Sequence, residues 1–305
     1  MNAIKFKLVI PLFIALAYGP AQGWAQSILG PDLASFSVLG ASTVTNTGAT
    51  TLTGDVGVSP GTAVTGQSTL TVNGVNALLN PGDVHLNDGT AILAQGQLTV
   101  SRTNLGLLGP GTILGADLAG LTLTPGIYTV AAGVSNLTGT LTLDGLGNPN
   151  AFWTFQMPST LITSPASIVN VINTGTGAGV FWNVGSSATL DTTTSFQGNI
   201  LALTSITLNT GATIGCGRAL ADVGAVTMDT NTISTGCLGT GEEGSNGLSG
   251  TALVFDESGN VVDTTTGGVV AAIPEPEIYA MMMAGLGLMG FMGRRKRKLQ
   301  ARAAG

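Results

Sequence analysis

The chain has 305 residues, of which 46 are Gly and 42 are Thr, while 44% are hydrophobic and only 9% are charged. Soluble domains average about 25% charged residues and about 7% Gly, so this is no ordinary globule, and its apolar content argues against disorder. Between residues 26 and 272 the only cations are Arg102 and Arg218, against fourteen Asp and Glu; with no clustered Lys or Arg to meet phosphates, nucleic-acid binding is excluded.

Residues 1–25 read as a secretory signal peptide. Lys5 and Lys7 precede an apolar stretch over 8–17, and Gly23-Trp24-Ala25 offers small residues for cleavage after Ala25. Residues 26–238 read as one mainly β domain. Asp88 is placed to N-cap a helix running to about Leu108, with Ala91, Ala94, Leu98, Ser101 and Leu105 along one side and Gly109-Pro110 ending it. Such a helix would lie along the domain and cover one side of it. Short strands resume at 121–126 and 137–143, and Phe152, Trp153, Phe155, Phe181 and Trp182 are the expected core aromatics.

The segments 188–196, 206–214 and 226–233 align with one another. Thr189, Thr207 and Thr227 are separated by 18 and 20 residues, Thr192, Thr210 and Thr230 keep the same step, and Asn-Thr-Gly-Ala-Thr occurs at both 209–213 and 46–50. A period near 20 with short alternating strands marks a solenoid with one coil per repeat. Leu190 and Phe196, or Leu208 and Ile214, would point inward and the threonines between them outward, which predicts a parallel β-helix. Cys216 and Cys237 are 21 residues apart, about one coil. Adjacent rungs lie about 4.7–4.9 Å apart, within disulfide reach. Export supplies an oxidising compartment, so a Cys216–Cys237 bridge is expected, two buried thiols being the alternative.

From Leu238 the chain becomes rich in Gly, Ser and Glu, and 239–272 reads as a linker with a small hairpin around Ser258-Gly259. Then come Pro274-Glu275-Pro276, an apolar segment over 278–292, the basic cluster 294–298, and a tail over 299–305 with the cytoplasmic side of the anchor. Residues 273–298 closely resemble the PEP-CTERM sorting signal of Gram-negative bacteria. That resemblance implies a short transmembrane helix as transient inner-membrane anchor, processing by an exosortase near Pro274–Pro276, and release to the cell surface or exopolysaccharide matrix.

Catalytic patterns are poor. Gly57-Val58-Ser59-Pro60-Gly61 matches a nucleophile elbow, but Pro60 lacks the N–H that the oxyanion hole requires, so the segment reads as a turn. His85 is the single histidine, which excludes a His-based metal cluster, and the aspartates are scattered. No enzyme, metal or cofactor is implied. A threonine ladder on stacked coils is a different resource. It forms a grid with about 4.8 Å between rungs and about 6.6–6.8 Å along each strand. Each hydroxyl can anchor water, each methyl keeps the surface partly apolar, and β-branching fixes the side chains. Such a rigid, charge-poor face can order water into an ice-like layer.

The segments 40–61, Leu121–Tyr128, 185–189, 201–213 and Gly217-Arg218-Ala219-Leu220 resemble the microbial ice-binding-protein family over about residues 27–237. The resemblance implies a right-handed, discontinuous parallel β-helix (a β-solenoid of triangular section) with one long α-helix packed alongside, adsorbing to an ice crystal surface through a flat face carrying Thr-Ala/Gly-x-Thr/Asn. Thr47-Gly48-Ala49-Thr50 and Thr210-Gly211-Ala212-Thr213 satisfy that pattern, whereas Thr192–Ser195 and 164–167 depart from it. The expected ice-binding residues are Thr47, Thr50, Ser167, Thr192, Ser195, Thr210, Thr213, Thr230 and Thr232, with Thr189, Thr207 and Thr227 as a parallel ladder. The alternative is a structural or adhesive surface or biofilm-matrix protein of the same fold.

Overall fold

The computed structural model describes residues 26–237 and 242–250, together with the strands Leu253–Phe255, Val261–Asp263 and Val269–Ala271. The expected signal peptide, the sorting signal with Pro274, Glu275 and Pro276, its apolar segment and the tail lie outside the described residues.

The chain is mainly β, and its strands stack in parallel as coils of a solenoid. Three faces run along the stack. The first joins Leu161–Ile162, Ala188–Leu190, Ile206–Leu208, Val226–Asp229, Thr43–Thr47 and Ala63–Thr65 in that order. The second carries Thr140–Asp144, Ile168–Ile172, the beginnings of Ser195–Ala202 and Thr213–Ala221, and then Thr232–Ser234, Thr50–Thr53 and Leu70–Val72. Ser195–Ala202 and Thr213–Ala221 turn a corner midway, where Gly215 is left without a partner between the pairs Phe196–Ile214 and Gln197–Cys216. Their second halves belong to the third face, with Thr112–Leu114, Gly126–Val130, Phe152–Met157 and Gly179–Val184 on one side and Phe36–Gly40, Asp55–Val58 and Val84–Leu86 on the other.

The stack does not follow chain order. Val38 pairs with Ala219, Val44 with Val226 and Leu52 with Ile233, so the first coil in the sequence lies against the last. The chain therefore has to travel from Val84–Leu86 at one end to Thr112–Leu114 at the other. Eight inter-strand steps of about 4.8 Å make that roughly 38 Å, and the helix Gly89–Leu107 covers about 28 Å of it at about 1.5 Å per residue. Asp88 caps it, accepting the Ala91 N–H at 2.9 Å. Ala91, Ala94, Leu98, Ser101 and Leu105 are its buried residues, as their spacing predicts.

The aromatics divide between two cores. Tyr128, Phe155, Trp182 and Phe196 stack ring to ring inside the coils, with centroids 5.7, 4.0 and 5.0 Å apart. Phe152 and Phe181 instead point out of the third face and, with Leu39, Leu201 and Leu220, pack under Ala94, Leu98 and Leu105 of the helix. A strand sends alternate side chains to opposite faces, so the neighbours Phe152 and Trp153 serve different cores.

Cys216 and Cys237 form the expected disulfide, their Cα atoms 4.0 Å apart. Within the span read as a linker, several of the described residues are packed. Leu248 is fully buried with the core inside the coils, and Leu253 and Val261 with the cluster under the helix. Leu253–Phe255 pairs antiparallel with Val261–Asp263, Gln26–Ser27 joins one edge of that pair and Val269–Ala271 the other. Arg218, also fully buried, ties these parts together. Its guanidinium donates to Asn199 Oδ1 at 2.8 Å, to the Gly247 carbonyl at 3.2 Å and to the Ala34 carbonyl. Burial pushes its pKa down to about 9, which leaves it cationic at neutral pH.

Candidate functional site

On the first face, strand register decides which side chains become neighbours. Ile162 pairs with Thr189, Thr189 with Thr207, Thr207 with Thr227, Thr227 with Thr45 and Thr45 with Thr65. Five threonines thus stand in one uninterrupted row. The residues flanking them in each strand, such as Leu190, Ile206, Leu208, Val226, Met228 and Val44, are buried, so alternation directs the threonines outward. Among the described residues none of these five hydroxyls has a protein partner. Beside them runs a row of small residues, Ser187, Ser205, Ala225, Thr43 and Ala63. Ser187 and Ser205 each accept the backbone N–H of the next coil, at 3.3 and 3.2 Å.

The other side of the row is a polar edge. Asn209 donates to Asp191 Oδ1 at 2.9 Å, and that bond, followed by the Thr192 N–H, holds the Asp191 carboxyl below its ordinary value. Thr210 and Thr230 both donate to the carboxylate of Asp229, so their hydroxyl protons are already committed. Thr47 pairs with Asp229 and stands exposed at the same edge.

The corner to the second face is a stack of left-handed residues: Ala166, Thr193, Gly211, Thr230 and Gly48, with φ between 55° and 73°. The first four donate their N–H groups to the carbonyl one residue before the neighbour's left-handed position, from Ala166 to Thr192, Thr193 to Thr210, Gly211 to Asp229 and Thr230 to Thr47. Thr192 and Thr210 therefore stack with Asp229. Thr230 stacks with Thr193 and Gly211, so the steps of 18 and 20 residues between Thr192, Thr210 and Thr230 do not make one ladder.

The second face has a longer, mixed row. Thr140 pairs with Ile168, Ile168 with Ser195, Ser195 with Thr213, Thr213 with Thr232, Thr232 with Thr51 and Thr51 with Thr71. Two expected contact residues are corrected here. Thr50 and Ser167 are 1% and 0% exposed. The Thr50 hydroxyl accepts the Asn231 N–H at 3.1 Å, and the Ser167 hydroxyl bonds back to the chain, with the Leu137 carbonyl at 2.7 Å. Both occupy the inward position of the corner. The repeated Asn-Thr-Gly-Ala-Thr string places Thr50 opposite Thr213, whereas the fold is phased by the inward Leu52, Ile233, Ile214 and Phe196. Counting back one residue from those side chains gives Thr51, which the string conceals.

The catalytic patterns weighed from the sequence are occupied structurally. His85 Nδ1 lies 2.8 Å from Asp88 Oδ2, and its Nε2 lies 4.0 Å from Asp55. Ser59 donates to Asn87 Oδ1 at 2.9 Å and is 4% exposed, and Gly57 and Gly61 sit where a Cβ would strike Phe36 and the Ser42 carbonyl. A cleft of about 440 Å³ beside the helix C-terminus is lined by Arg102, Gln156 and Asn183. Asn183 donates to Gln156 Oε1, Gln156 to the Leu105 carbonyl and Arg102 to Asp222. Among the described residues no group of three His, Cys, Asp or Glu is arranged to hold a metal ion.

Comparison with known proteins agrees with this geometry. Residues 38–234 match the family model described as ice-binding-like, and residues 272–298 match the PEP-CTERM protein-sorting motif. No helix among the described residues is long and apolar enough to cross a membrane. An ice-binding protein of Nostoc sp. (strain HG1) is 49% identical over 71% of this chain and 77% of its own length. One from Flavobacterium frigoris (strain PS1) is 32% identical over 66% and 74%. Among solved structures, an ice-binding protein from an Antarctic biological consortium superposes with a TM-score of 0.60 at 38% identity, over 74% of this chain and 96% of the other. One from the ascomycete Antarctomyces psychrotrophicus gives 0.61 at 34%, over 69% and 98%. With this architecture, these threonine rows and these relatives, the chain belongs to the ice-binding-like family.

Proposed function

We propose that this chain is an exported, non-enzymatic ice-binding protein that adsorbs to ice through the first face and so inhibits ice growth or recrystallisation. The observation that carries this reading is the register that brings Thr189, Thr207, Thr227, Thr45 and Thr65 into one row with free hydroxyls. Each hydroxyl anchors a water at the rung spacing, and the methyls and the adjacent Ser/Ala row leave little else for water to bind. Because the grid exists before contact, little ordering entropy is lost on adsorption, and many weak contacts sum to useful affinity. The coil is taken to be right-handed and triangular in section. Thr192, Thr210, Thr47 and Thr230 then rim the face, and Ser195, Thr213 and Thr232 lie around its corner.

The sorting motif supports export, a transient inner-membrane anchor, processing by an exosortase, and delivery to the cell surface or exopolysaccharide matrix. Ice-affinity partition of the exported chain tests the reading. The wild-type chain is expected to enter the growing ice fraction and Thr207→Tyr to be depleted from it. A wild-type chain left wholly in the liquid would overturn ice binding.

A further inference from the structure

The layer that covers the third face has an unusual outer surface. A surface helix ordinarily turns charged residues to solvent. Here Ile92, Leu93, Val100 and Leu107 are 52%, 58%, 46% and 53% exposed. The one charged residue within the helix, Arg102, is turned inward to Asp222 at 2.8 Å. The result is an uncharged, largely apolar stripe along the helix.

A second, independent observation concerns where the chain leaves. Val269–Ala271 completes the small antiparallel sheet of this same layer and runs beside Gly126–Val130. The turn that follows the helix meets Gly126–Val130 too, Thr129 donating to the Pro110 carbonyl at 2.6 Å. The sorting motif begins at residue 272, and the apolar segment at 278 follows six residues after the strand. Six residues reach at most roughly 20–22 Å, which is shorter than the helix itself.

We propose that, while its sorting segment is in the membrane, the chain lies with the helix stripe against the lipid surface, so that the threonine faces look away from the bilayer. This rests on the sorting-motif reading of residues 272–298. The occupant is a bilayer because the leash ends in one. With two cations against fourteen acidic residues between 26 and 272, the body gains nothing from anionic headgroups, and the uncharged stripe is the side that approaches lipid without bringing carboxylates to it.

Both native cysteines are bonded to each other, so single-cysteine variants report cleanly. The full chain carrying Val100→Cys, Leu107→Cys or Thr207→Cys would be inserted into phosphatidylethanolamine–phosphatidylglycerol vesicles and treated with a membrane-impermeant maleimide. Val100→Cys and Leu107→Cys should label about fivefold or more slowly than Thr207→Cys, and all three should label alike after detergent. Equal rates in vesicles would overturn the proposal. Alkaline carbonate extraction is scored first. A chain washed off the vesicles loses the anchor and the proposal together, whereas a retained chain with equal labelling loses only the orientation.

Discussion

Thr207 and Thr210 are three residues apart and chemically identical, yet their surroundings differ. The Thr207 hydroxyl is free and has a threonine on either side of it in the row, whereas that of Thr210 is spent on Asp229 at the rim. Thr207→Tyr should therefore reduce thermal hysteresis several-fold and Thr210→Tyr much less, with both melting like the wild type because tyrosine suits an exposed strand position. Equal losses from the two would move the face toward the corner. Arg218 is a fully buried cation that bonds to three separate parts of the body. Arg218→Met strands acceptors on Asn199, Ala34 and Gly247, at about 1–3 kcal/mol per unsatisfied group, partly offset by no longer burying a cation. A fall in Tm of about 5–10 °C is expected by calorimetry, and an unchanged Tm would show that the tie contributes nothing.

Among the elements, the helix was the most legible. Its cap, its five buried residues and its end all follow from spacing, because a helix is specified by neighbours within one or two turns. The corners were the least legible. Their residues lie between strands of different phase, and one residue more or fewer at a corner moves a threonine from face to core, as it does for Thr50 and Thr51. Cys216 and Cys237 were readable because a period near 20 makes residues 21 apart neighbours. Replacing both with serine opens a loop of that length, which is worth about 3 kcal/mol. Thermal melts should show a Tm lowered by about 6–12 °C, with ice partition retained below the transition.

For the molecule as a whole, acid should be the harmful direction. Bonds from Asn73 and Asn80 hold the Asp83 carboxyl below its ordinary 3.8, and a bond from Thr138 does the same for Asp117. Groups with lowered folded pKa stabilise above the unfolded value and lose that contribution as pH falls through the folded one. Asp55, raised by burial, acts in the opposite sense and offsets part of the loss. Melting temperatures should be nearly level from about pH 7 to 5 and decline below about pH 4. A decline already complete at pH 5 would point to a different group.

The sequence by itself determined the coil period, the outward threonines of each strand, the capped helix, the adjacency of the two cysteines and the C-terminal sorting motif, since each is written in residues no more than about one coil apart. Only the tertiary structure decided that the first coil stacks on the last, that Thr227 is followed by Thr45 in the row, and that Thr51 stands where Thr50 was expected. Those outcomes rest on backbone hydrogen bonds between residues some 180 positions apart, such as that from the Thr51 N–H to the Asn231 carbonyl. Every coil presents nearly the same edge, so no local stretch of sequence says which edge it will meet.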